Sequence, residues 1–129
     1  MRLWAFLEKR GARAREDTSQ HAYLDETFDA WPFAAAAVET SPAAPGVYLL
    51  YASGRLIYIG LAVNGSGIRQ ELESHLRGAY GPDTQTASAF VYELAANPLD
   101  LHRRYLSAHR ARYGGRLPPC NERDELRGG

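Results

Sequence analysis

The chain alternates between two kinds of apolar pattern. Pro45-Gly46-Val47-Tyr48-Leu49-Leu50-Tyr51 and Leu56-Ile57-Tyr58-Ile59-Gly60 are short, β-rich apolar runs. They flank Ala52-Ser53-Gly54-Arg55, which has the composition of a hairpin turn. Ser88 to Leu94 alternates, placing Phe90, Tyr92 and Leu94 on one face of a third strand. Between these strands the period changes to that of a helix. Ile68, Leu72 and Leu76 form an i, i+4, i+8 stripe on a helix from about Gly67 to Arg77. Asn97-Pro98 fits a second helix start, with Asn as N-cap and Pro at the first helical position, and Gly114-Gly115 ends that helix.

The first 44 residues read as an extension. Leu3 to Leu7 is apolar and suits a strand or a helical turn, and Arg10 to Asp17 is charged. From Ser19 or Gln20 to about Ala37 the spacing of Tyr23, Leu24, Phe28 and Trp31 predicts a helix, with Pro32 ending it or starting another. Residues 45–121 make the core domain, and 122–129 a polar, frayed tail. The expected fold is therefore α+β: a small three-stranded antiparallel sheet flanked by helices, with a helical amino-terminal extension.

The first strand opens on Gly46-Val47-Tyr48 and the second closes on Tyr58-Ile59-Gly60. This pair of triplets on adjacent strands, with a helix following, resembles the GIY-YIG nuclease family. The resemblance extends through Gly67–Leu76 and the turn Leu117-Pro118-Pro119-Cys120-Asn121, covering about residues 45–121. It implies the GIY-YIG fold, with Gly46, Gly60 and Asn121 as structural motif positions. It also implies a DNA endonuclease ancestry, in which metal-activated water hydrolyses a phosphodiester. Tyr48 and Tyr58 would line the site, and a divalent metal, Mg²⁺ or Mn²⁺, would be the cofactor.

The family's charges are replaced here. Where it carries a phosphate-neutralising arginine on the first helix, the alignment places Glu71. Arg69 is the nearest arginine, two residues and about 200° away around a helix. Where it carries a metal-binding glutamate on the later helix, His102 stands, a poor ligand for Mg²⁺. Weak or lost nuclease activity is expected. Glu71 and His75, one turn apart, read either as an acid–base pair or as a surface pair. His102 reads either as a ligand or as a packed histidine.

Net charge is zero, so any nucleic-acid affinity has to come from local clustering. The densest basic patch is Arg103, Arg104, Arg110 and Arg116, on or just after the last helix of the domain, readable as a DNA contact or as an exposed helical face. Asn64-Gly65-Ser66-Gly67 offers backbone N–H groups to an anion or serves as a tight connector. Cys120 is the only cysteine, so neither an intramolecular disulfide nor a cysteine-based zinc site can form. With no spanning apolar run and no leader-like start, a soluble cytoplasmic protein is expected. Three functional readings remain: a GIY-YIG domain acting on DNA, a cleft repurposed for non-nuclease chemistry on a small molecule, and a non-catalytic module for a protein partner.

Overall fold

A computed structural model describes residues 30–128 apart from 64 and 66. The apolar run Leu3 to Leu7 and the part of the expected helix that precedes residue 30 lie outside the described residues. The elements are β1 (Trp31–Pro32), α1 (Ala35–Glu39), β2 (Gly46–Ala52), β3 (Arg55–Ala62), α2 (Gly67–Leu76), β4 (Ala89–Leu94), α3 (Pro98–Arg112) and α4 (Pro119–Gly128). The sheet is antiparallel and has four strands, not three, in the order β1-β4-β2-β3. The fourth is the two-residue strand Trp31–Pro32, paired with Phe90 and Ala89. The helix expected to run to Ala37 does not include Trp31: proline interrupts it, and only Ala35–Glu39 is helical there.

Strand β2 is central and covered on both faces, which is why its sequence is a continuous apolar run. Val47, Leu49 and Tyr51 face α3, packing with Ile59, Val91, Leu101 and Tyr105. Tyr48 and Leu50 face the other way, into a core with Val38 of α1, Ile68 and Leu72 of α2, and Cys120 of α4. The β2–β3 turn has Ser53 and Gly54 both at positive φ (53° and 77°), the two-residue turn whose twist matches the flanking strands. A bulge follows: Leu50 pairs with Tyr58 but Tyr51 with Leu56, so Ile57 is the extra residue. The bulge places Tyr58 and Gly60 on the same face as Tyr48.

Helix α3 starts as its sequence predicts, with the Asn97 side chain accepting from Asp100 N at 3.3 Å. The carboxy-terminal segment departs from expectation. Residues 119–128 are helix α4, not a frayed tail. Arg116 forks onto Glu122 (2.7 Å at the closest), and Glu122 also accepts from Leu117 N at 3.1 Å, stapling the helix start to the preceding turn.

Strand β3 is an edge, and side chains seal the outward peptide groups of Ile59. Ile59 N–H donates to Asn121 Oδ1 (2.8 Å), and Asn121 Nδ2 donates to Ile59 O (2.9 Å). His102 Nε2 reaches the same carbonyl at 3.2 Å. The buried amide of Asn121 thus stands in for a neighbouring strand. Replacing Asn121 with Ala should cost about 2–3 kcal/mol, because it orphans a buried N–H and removes a second bond. Urea unfolding checks this, and a loss below about 0.5 kcal/mol would count against the seal.

Candidate functional site

Beyond strand β3, between α2, α3 and α4, lies a cleft of about 660 Å³. That is the size range of small-molecule sites. Tyr48 and Tyr58 reach it from the sheet, Glu71 from α2, Tyr80 from the following loop, His102 from α3, and Asp124 from α4. The tyrosines arrive together because Tyr48 lies opposite Gly60, leaving room for Tyr58 one pair further along the same face. The Tyr48 and Tyr58 ring centroids are 6.1 Å apart.

A hydrogen-bonded chain runs behind this wall. Tyr48 Oη is 2.8 Å from His75 Nε2, and His75 Nδ1 is 2.7 Å from Thr84 Oγ1. Tyr48 Oη is also 3.4 Å from Glu71 Oε1, which accepts from Tyr80 Oη at 3.0 Å. Burial lowers the His75 imidazole to about 4, so the ring is neutral at pH 7. A carboxylate can only accept, so one arrangement satisfies every contact. Thr84 donates to Nδ1, Nε2–H donates to Tyr48, and the Tyr48 hydroxyl donates to Glu71. Burial pushes the Tyr48 phenol well above its ordinary value, with the charges of Tyr58 and Glu71 adding to it. Burial also raises Tyr58, with the nearby Asp124 carboxylate adding to it. Both phenols therefore stay protonated and act as donors.

The expected site residues are distributed unevenly. Tyr48, Tyr58, Glu71 and His102 share the cleft, with His75 enclosed behind Tyr48 by the rings of Tyr58 (5.1 Å) and Tyr80 (4.7 Å). His75 is 1% exposed, so it is no surface partner of Glu71; Tyr48 joins the two. Arg69 does not line the cleft. Its Nε donates to Ser41 O at 2.8 Å, tying α2 to the segment before β2. The register that places Glu71 toward the tyrosines turns Arg69 away. The neighbouring N–H groups of Ile68 and Arg69 are taken by Ala44 O and Pro42 O, and Asn64 and Ser66 of the glycine-rich loop lie outside the described residues.

The basic residues do not converge on the tyrosines either. None of Arg103, Arg104, Arg110 and Arg116 lines the cleft. Arg104 pairs with Asp100 at 3.1 Å, and Arg116 with Glu122. Arg116 belongs to a second depression with Arg55, His109 and Tyr113. Tyr80, Thr84 and Asp124 are site residues that the sequence pattern did not single out. Tyr80 and Thr84 sit in a loop without periodicity, and Asp124 in the segment read as a tail.

The donor set does not suit a divalent metal. His102 Nε2 must carry its proton to donate to the Ile59 carbonyl, so that nitrogen has no lone pair for a cation. Burial lowers the His102 pKa. Glu71 already accepts from two phenols. Among the described residues no cluster of three His, Cys, Asp or Glu side chains converges. Nor, among them, is any helix long and apolar enough to cross a membrane.

No known family model matches this chain, and no curated protein matches it.

Proposed function

We propose that the chain is a GIY-YIG-type domain that keeps the two motif tyrosines but uses its cleft for a small molecule instead of DNA cleavage. The supporting observation is the charge of the cleft. Among the described residues its acidic side chains are Glu71 and Asp124, and no lysine or arginine of theirs lines it. DNA binding depends on cations that replace the phosphate counterions. A carboxylate about 4 Å from a phosphate opposes binding by ~1–4 kcal/mol, depending on the effective dielectric. Within the cleft, Glu71 is the group placed to take a proton from a bound molecule, and Tyr48, Tyr58 and Tyr80 are the donors placed to orient it.

The expected outcome with DNA is clear-cut. Plasmid and oligonucleotide substrates with Mg²⁺ or Mn²⁺ should show no multiple-turnover cleavage, even at stoichiometric protein. A missing transition-state cation alone typically costs roughly 10²–10³ in rate. Multiple-turnover cleavage that disappears in Tyr48→Phe would overturn the proposal.

A further inference from the structure

We infer that the second depression, beside the β2–β3 turn, is a binding site for a small aromatic carboxylate that carries a hydrogen-bond donor of its own. The depression encloses about 540 Å³ and, among the described residues, shares only Leu117 with the tyrosine cleft. It therefore stands apart from the small-molecule reading above. Three features select the ligand, and the first is charge. Arg55 and Arg116 line the depression with one carboxylate, Glu122. Arg116 is committed to Glu122 through Nε and Nη2, and Glu122 also accepts from Leu117 N. These bonds lower the Glu122 pKa to about 2, so the carboxylate is ionised and already answered. Arg55 is the exposed first residue of β3, and its side chain makes no hydrogen bond or ion pair among the described residues. One positive charge is left over, on a planar fork that matches a carboxylate.

The second feature is His109. Its Nδ1 lies 2.7 Å from Arg116 O, and a carbonyl only accepts, so Nδ1 carries the proton. Burial lowers its pKa, with Arg112 acting the same way, against the opposing pull of Arg116 O and Glu122. The ring is therefore neutral at pH 7. Nε2 then holds a lone pair, has no hydrogen-bond partner among the described residues, and is not sealed from solvent. A ligand N–H or O–H answers that lone pair. The third feature is the wall. Tyr113 stacks on His109 with ring centroids 4.5 Å apart, yet stays 44% exposed. With Leu56, Leu117, Pro118 and Pro119 it gives the depression apolar sides for a flat ring. A compact anion such as phosphate would leave those sides unused.

The test is amide NMR titration of the full chain with 3- and 4-hydroxybenzoate, which hold the two polar groups at different separations. Benzoate lacks the donor, 4-hydroxybenzamide lacks the charge, acetate lacks the ring, and inorganic phosphate is the compact anion. The better hydroxybenzoate should shift Gly54, Arg55, Tyr113 and Leu117 in a saturable way. Each comparison molecule should bind about tenfold more weakly. Arg55→Gln should weaken the hydroxybenzoate about tenfold without disturbing the fold, because that side chain holds nothing in place. His109→Asn keeps a donor for the Arg116 carbonyl but removes Nε2, so it should erase the preference over benzoate. No saturable binding at these amides, or binding unchanged in Arg55→Gln, would overturn the inference. So would phosphate binding as tightly as the hydroxybenzoates, or a parent protein that binds benzoate equally well. Shifts confined to Tyr58, Tyr80 and Asp124 would put the ligand in the tyrosine cleft, sinking the second site and leaving the small-molecule reading of the cleft intact.

Discussion

Replacing Gly60 with alanine should destabilise the domain by about 3 kcal/mol or more, lowering Tm by more than about 10 °C. A Cβ at this position would overlap the Cζ, Cε1 and Cε2 atoms of the Tyr48 ring. Tyr48 is the cross-strand partner of Gly60, is 1% exposed, and is held at its hydroxyl by His75. The ring therefore cannot swing aside without breaking the hydrogen-bonded chain. Strand β2 cannot shift either, because it is paired on both edges. The two triplets of the sequence are thus one interlocking unit, the tyrosine of the first lying over the glycine of the second. A double-mutant cycle tests this directly. In a Tyr48→Leu background, where the ring is gone, Gly60→Ala should cost far less. Equal cost in both backgrounds would show that the overlap is not the cause.

Stability should fall steeply as pH drops from 6.5 toward 4. The His75 imidazole titrates near 6.5 when unfolded and at about 4 when folded. Between those values the unfolded chain binds the proton and the folded one does not, so stability rises with pH across that window. The contribution is fully present above about 6.5 and lost below about 4. A shift of this size corresponds to on the order of 3 kcal/mol. Burial also lowers His102 and His109, so they act in the same direction. Comparing urea unfolding of the parent and His75→Gln at several pH values isolates the share of His75. The gap between them should widen from pH 4 to 6.5 and then stay constant. A constant gap throughout would mean that His75 keeps its ordinary affinity for protons in the fold.

Three of the four strands and helices α2 and α3 were legible in the sequence because each carries its own local signal. Val47 to Tyr51 is a run only a doubly covered strand tolerates, and Asn97-Pro98 and Gly114-Gly115 mark both ends of α3. Strand β1 was not legible because two residues have no period, and Trp31 fits a helical face as well as a strand. Helix α4 was missed because its side chains are mostly polar. It is secured by Glu122 bonding to Arg116 and Leu117, and by Asn121 bonding to a strand 62 residues earlier. The meeting of Tyr48, Tyr58 and Glu71 could be anticipated from strand pairing and helix register. The link from His75 to Thr84 could not, because it depends on how an aperiodic loop folds back.

The dual duty of α4 ties occupancy of the cleft to the opening of one end of the chain. Asn121 locks the helix to strand β3, and Asp124, one turn on, forms a wall of the cleft. Undocking this helix would remove that wall and unseal Ile59 in a single event. Any molecule that bridges Glu71 and Asp124 therefore acts as a latch on that event. Its presence would be written in slower amide exchange at Ile59, a position it never touches.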